Sequence, residues 1–144
     1  MNKLIIDSRE NSVLTEQVEE KARKMNIPFD KEWIEFGDYT FNNVCFEAKS
    51  SFDFLQSVQS KRLWKQLDNM DRAFDNNLVI VHGSFDKAFR QHLAHVKSDI
   101  KPKILRTLTW KKFYGALGRI ILDTDCSVIW VKDSLTAAEV ICTV

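Results

Sequence analysis

Three short apolar runs limit what this chain can become: Leu4-Ile5-Ile6, Leu78 to Val81 and Val128 to Val131. Runs of that length are too short for buried helices and, bounded by polar or turn residues, suit strands, the first buried and the second interior. Between them the apolar residues recur at helical spacing. Leu14, Val18, Ala22 and Met25 follow Ser12, a helix-capping residue, and precede Pro28. Leu63, Leu67, Met70 and Phe74 form a second such stripe, and Phe85, Phe89 and Leu93 a third. Residues 33 to 41 and 44 to 49 alternate instead, predicting two further strands joined by a tight connection, after which Ser50 or Ser51 caps a helix over 52 to 58.

Pro102 predicts a loop through the first part of Lys97 to Lys112, with Thr109 capping a helix that carries Trp110, Phe113, Tyr114, Leu117, Ile120 and Ile121. Ser134 is expected to cap a last helix. The resulting order, β-α-β-β-α-α-β-α-α-β-α, predicts an α/β fold with a central mixed β-sheet flanked by helices on both sides. Residues 1–144 are expected to form a single domain.

Charge is distributed unevenly along the chain. Residues 1 to 60 hold 7 basic and 11 acidic side chains, residues 61 to 112 hold 12 and 5, and the remainder 2 and 4. Such a division suits a polyanion crossing a basic middle segment toward a cation-filled acidic site, and equally a charge-dappled surface. Cys45, Cys126 and Cys142 are too widely spaced for a paired-cysteine zinc site and read as buried thiols. No window has the apolar length to cross a bilayer, and Asp7 interrupts the first apolar run too early for a signal peptide. A soluble intracellular protein is the expectation, cytoplasmic in a bacterial or phage setting and nuclear in a eukaryotic one.

The chemistry concentrates between Phe36 and Asp53. Glu47 and Lys49, two apart on a strand, share a face, and the Gly37-Asp38 corner brings a second carboxylate near them. Two carboxylates and an ammonium suffice to hold a divalent metal, orient a water and offset charge developing on a phosphate. Asp7, Arg9 and Glu10 emerge at the carboxyl end of the first strand, the edge where ligands gather in α/β sheets. Asp53 suits either the site or a helix end charge. Lys61, Arg62 and Lys65 stand at a helix amino end that disfavours cations, consistent with phosphate contact or with plain solvation. Lys101, Lys103 and Arg106 suit a nucleic-acid backbone or simple solubility. His82 ends a strand facing the same region, where it is either a structural hydrogen-bonder or a neighbour of the site.

Several separated segments together resemble the nuclease domain of the XPF family of structure-specific DNA endonucleases, within the restriction-endonuclease-like superfamily. Ile5-Ile6-Asp7-Ser8-Arg9-Glu10 is similar to the family's first strand and aspartate, Gly37-Asp38-Tyr39 to its Gly-Asp pair, and Glu47-Ala48-Lys49 with Asp53 to its Glu-Arg-Lys and following aspartate. Arg62-Leu63-Trp64-Lys65-Gln66, Ile129-Trp130 and Thr136-Ala137-Ala138-Glu139 resemble later segments. The resemblance implies Mg²⁺- or Mn²⁺-dependent hydrolysis of branched DNA at a flap, fork or junction. Asp38 and Glu47 would bind the metal, Asp7 would assist directly or through water, and Lys49 would orient the nucleophile. Glu10 and Asp53 would stand behind these ligands, with Arg9 holding a carboxylate or phosphate. Two departures stand out: Ala48 replaces the motif's arginine, and no residues remain for the family's helix-hairpin-helix module. The rival expectation is a non-cutting DNA-binding partner subunit. A homodimer or heterodimer is also implied, with the Trp110 to Ile121 stripe and the last helix as interface or core.

Overall fold

The computed structural model describes residues 2–144. The chain runs β1 (Leu4–Asp7), α1 (Val13–Lys24), β2 (Phe29–Glu32), β3 (Tyr39–Phe41), β4 (Val44–Ser50), α2 (Ser51–Gln59), α3 (Arg62–Ala73), β5 (Asn77–His82), α4 (Phe85–His95), α5 (Pro102–Asp123), β6 (Ser127–Val131) and α6 (Ser134–Thr143). The strands form one sheet in the order β2-β1-β3-β4-β5-β6. Only β3 opposes its neighbours; β1 pairs parallel with β2, and β4 with β5 and β5 with β6 do likewise. The mixed α/β sheet expected from the apolar runs is therefore present.

The antiparallel insertion has a local cause. Asn42 and Asn43 both take positive φ, 51° and 65°, the pair of conformations that lets a two-residue turn follow the twist of a hairpin. Asparagine tolerates this region because its short polar side chain bonds locally. The turn fixes Tyr39 opposite Phe46 and Thr40 opposite Cys45.

Each face of the sheet buries its own core. Leu4, Ile6, Tyr39, Phe46 and Ile80 pack beneath α1 and α6, which also pack on each other. Cys45, Val79 and Val81 pack on the other face beneath residues of α2, α3, α4 and α5. Phe113 lies at the centre of this second core, edge-on to Phe54 at 5.2 Å and Phe85 at 5.5 Å. Such aromatic pairs add about 0.5–1.5 kcal/mol beyond simple burial. All three cysteines are free and buried, as the spacing indicated. Burial pushes the thiols of Cys45 and Cys126 up to about 12, so neither is a ready nucleophile.

Four local expectations need correction. Residues 33 to 38 are not a strand; the strand in this region is Phe29–Glu32, paired with β1 at the sheet edge. Its sequence lacks apolar alternation because only Phe29 packs against the core, while Asp30, Lys31 and Glu32 are exposed at the sheet edge, Lys31 pairing with Glu19 of α1. The loop expected over the first part of Lys97 to Lys112 is present at residues 97–101 but goes no further, because Pro102 stands in the first turn of α5, where a missing N–H costs nothing. Thr109 consequently sits inside that helix, its hydroxyl donating to the Leu105 carbonyl at 2.7 Å. The last helix is capped by Asp133, which accepts from Thr136 N–H at 2.8 Å, and not by Ser134. Among the described residues no helix is long and apolar enough to cross a membrane.

Candidate active site

Because β1, β4, β5 and β6 all run the same way, their carboxyl ends share one edge, and β3 begins there. Asp7, Lys49, His82 and Val131 occupy those ends, and Asp38 immediately precedes β3. Helices α1, α2, α4 and α6 start from the same edge, capped in turn by Ser12, Ser50, Ser84 and Asp133. A cleft of about 780 Å³ opens here, lined by Glu10, Asp38, Glu47, Lys49 and Asp53 on one side and by Arg62, His82, Lys87 and Lys132 elsewhere. A smaller hollow of about 380 Å³ adjoins it and brings Asp7 alongside Glu10, Asp38 and Glu47. The three acids expected to converge, together with Lys49, do line one region of the sheet edge.

Their positions are held by backbone contacts. Asp7 N–H donates to Asp38 O at 2.9 Å, and Asp38 N–H donates to Phe46 O at 2.8 Å. The Asp38 carboxylate accepts from Ala48 N–H at 2.8 Å, tying the corner to β4. Gly37 makes the corner possible: its φ is +91°, and a Cβ there would collide with Cys45 Sγ. Ala48 packs toward the α1 and α6 core, opposite to Glu47 and Lys49, as strand alternation requires.

The carboxyl groups are not equivalent. Burial, then the charges of Glu47 and Glu10, hold the Asp38 carboxyl well above the ordinary range. Burial chiefly, and then Glu10 and Asp7, raise Glu47, with the nearby Lys49 ammonium pulling the other way. Lys49 Nζ lies 3.6 Å from Glu47 Oε1, and both side chains are nearly enclosed. Asp7 is engaged differently. Its carboxylate accepts from Arg9 Nε at 3.0 Å and from Ile34 N–H at 3.1 Å, while Arg9 Nη2 donates to Ile34 O at 2.5 Å. Arg9 thus holds a carboxylate, and Glu10, expected behind the ligands, stands beside Asp38 in the cleft wall. Asp53 lies in the first turn of α2 and also lines the cleft, joining both readings of that residue.

Among the described residues, no three histidine, cysteine or carboxylate side chains close around a single point. The crowded oxygen-only donors nevertheless suit a hard cation, since magnesium is commonly held by one or two carboxylates with waters and substrate oxygens completing the shell. His82 borders the cleft and is pushed below the ordinary histidine range by burial, against the opposing charge of Asp53. The neighbouring loop is fixed from β6: Trp130 Nε1 donates to Gly83 O at 2.7 Å.

The expected basic contacts separate into groups. Arg62 lines the cleft. Lys61 opens onto a different groove, and Lys65 is exposed on α3. Lys101 and Lys103 are exposed at the start of α5, while Arg106 pairs with Asp86 and lies over the Phe85 ring at 5.2 Å. Sequence reasoning missed Lys87 and Lys132, which line the cleft. Their signal was positional: Lys132 directly follows the apolar run of β6, and Lys87 follows the cap after β5, both at the ligand-bearing edge.

The sheet is parallel except at β3, and its carboxyl edge carries Asp7, Asp38, Glu47 and Lys49. The chain belongs to the ERCC4 domain family, whose profile matches residues 6–144. It is 33% identical over 102 residues to the DNA repair endonuclease UVH1 of Arabidopsis thaliana, covering 69% of this chain and 10% of that protein. XPF from Aeropyrum pernix shares the fold, with a TM-score of 0.73 at 20% identity, covering 98% of this chain and 58% of that one. The same protein in complex with DNA gives 0.72 at 20% identity, with 98% and 62% covered. This chain therefore spans about a tenth of the curated relative's length.

Proposed function

We propose that the chain is a nuclease domain that hydrolyses DNA phosphodiester bonds with Mg²⁺ or Mn²⁺, acting on branched substrates such as flaps, forks or junctions. The observation that carries this reading is the convergence of Asp38, Glu47, Glu10 and Lys49 in one cleft whose other walls supply Arg62, Lys87 and Lys132. Asp38 and Glu47 would hold the cation, with Asp7 assisting directly or through water. When bound, the cation supplies Lewis-acid polarisation of the phosphate and an activated water. Lys49 orients that water and offsets charge developing on the phosphate oxygens. Arg62, Lys87 and Lys132, none with a carboxylate in ion-pair range among the described residues, attract the flanking backbone. Lys61, Lys65, Lys101, Lys103 and Arg106 extend the basic surface beyond the cleft.

Cleavage is favoured over the rival role of a non-cutting partner because Ala48 packs into the core on the other face, leaving the charged groups of the cleft intact. Association with a second copy or a related subunit is supported by the apolar groups exposed along α5, among them Ile104, Trp110, Ile121 and Leu122. The deciding experiment incubates labelled flap, fork, Holliday-junction and plain duplex DNA with the protein and with Asp38→Asn, in Mg²⁺ or EDTA. Metal-dependent cutting of branched DNA by the wild type alone is expected. Cutting that survives in EDTA or in the variant overturns the mechanism, and tight binding without cutting favours the partner role.

A further inference from the structure

Among the described residues four non-glycine residues adopt left-handed backbone conformations, and three of them are asparagines, which tolerate it. The fourth is Lys61, at φ 63°, immediately before α3 and without a side-chain cap. Lys61 closes α2, its N–H donating to Val58 O at 3.1 Å, so the left-handed conformation ends that helix and leaves the exposed lysine at the turn between α2 and α3. Lys61 stands at the rim of a groove of about 430 Å³ between the α2–α3 junction and α5. Val58, Trp64 and Gly115 form part of its floor, and a Cβ built on Gly115 would meet nothing within 4 Å. Lys111 and Lys112 complete the rim. Among the described residues, none of the three lysines has a carboxylate in ion-pair range, whereas Arg119 at the far end pairs with Asp123 at 3.1 Å.

The neighbouring residue, Arg62, lines the acid-bearing cleft, so the cations run without a break from that cleft over the α2–α3 junction into the groove. Beyond Trp64 the sign reverses: the adjoining hollow is lined by Asp68, Asp71 and Asp123. We propose that this groove is a seat for single-stranded DNA, the unpaired arm of a branched substrate leaving the cleft across Lys61 and Arg62. Lys61, Lys111 and Lys112 take successive phosphates, and Trp64, half-buried at the floor, offers an aromatic surface to a base. The acidic hollow marks where the strand ends. The assignment rests on the reading of the cleft as a DNA-cutting site, and it names which part of the substrate lies outside it.

The test measures binding of a fluorescent twelve-residue oligothymidylate in EDTA, across a salt series, for the wild type, Lys61→Gly and the double variant Lys111→Gln/Lys112→Gln. Lys61→Gly is expected to melt at the same or a higher temperature, since it relieves the left-handed lysine, while its log–log salt slope falls by about 0.7. The double variant is expected to lose about 1.4 from the slope, with affinity falling in both. Slopes unchanged in either variant overturn the assignment, as does an equal loss of bound oligonucleotide to a polyglutamate competitor, which would mark the groove as an acidic-peptide site. Flap cutting in Mg²⁺ is scored in parallel. A wild type that cuts but shows flat slopes refutes the groove alone, and a wild type that cuts no DNA refutes the reading of the cleft.

Discussion

The segments from Phe36 to Asp53 and from Lys97 to Asp123 are both rich in charged and aromatic residues, yet they use them in opposite ways. In the first, charged groups face inward to the cleft, and backbone hydrogen bonds from Asp7, Asp38 and Ala48 hold them in register. In the second, the fully buried groups are Phe113 and Ile120, while lysines and several large apolar residues face out. Glu47 and Lys49 are nearly enclosed and Asp38 is braced by the Ala48 amide, whereas Lys101, Lys103, Lys111 and Lys112 stand exposed on or beside α5. The braced acids carry a cost, visible in the raised proton affinities of Asp38 and Glu47.

The contrast is testable by substitution on both sides. Phe113→Ala removes the ring at the centre of the second core and is expected to destabilise by about 3–5 kcal/mol in chemical denaturation. A loss under 1 kcal/mol would show that α5 is packed far less tightly than its aromatic contacts indicate. Asp38→Asn is expected to cut cleavage by about 10²–10³-fold, a scale typical of removing one charge-stabilising group. The same variant should be more stable without metal by about 0.5–2 kcal/mol, the trade-off expected of a strained functional site. Its pH signature has a definite sign. The folded Asp38 binds its proton more tightly than the unfolded chain, so wild-type stability in EDTA falls as pH rises from the ordinary carboxylate range through the raised value. Melting curves of Asp38→Asn should show a shallower fall over that window, and an identical fall would assign the burden to Glu47.

Gly37→Ala is expected to destabilise by about 1–3 kcal/mol, from the positive φ and the collision with Cys45 Sγ. Cleavage by the fraction that remains folded should fall as well, since the corner carries Asp38. Leu122→Ser should fall within about 0.5 kcal/mol of wild type for the isolated chain, because the side chain is 83% exposed. If sedimentation shows self-association in the wild type that this variant loses, α5 is an interface and the contrast between the two segments acquires a second term.

The parts of the fold legible in the sequence were those where periodicity reflects burial. The runs of β5 and β6 are read directly because their side chains meet a core on both faces of the sheet, and β1 and the stripe of α1 because Leu4, Ile6, Leu14, Val18 and Ala22 share one core. Phe29–Glu32 escaped because its pairing with β1 is a backbone matter that leaves charged side chains in solvent. Pro102 misled because one residue type serves both to break helices and to begin them, and the difference lies in the preceding turn. At the site, strand alternation correctly placed Glu47, Lys49 and Ala48. It could not show that Asp7 would be occupied by Arg9 and the Ile34 amide, or that Glu10 would crowd Asp38, since both depend on residues distant in the chain. Lys87 and Lys132 were hidden for the same reason: only the strand order brings the starts of α4 and α6 to face the acids.

The hydrogen bond from Trp130 to Gly83 makes the outermost strand a mechanical part of the cleft. Among the described residues β6 is the last strand on its side of the sheet, and its indole anchors the loop between β5 and α4. The wall of the cleft beside His82 thus takes its position from a strand that carries none of the acids.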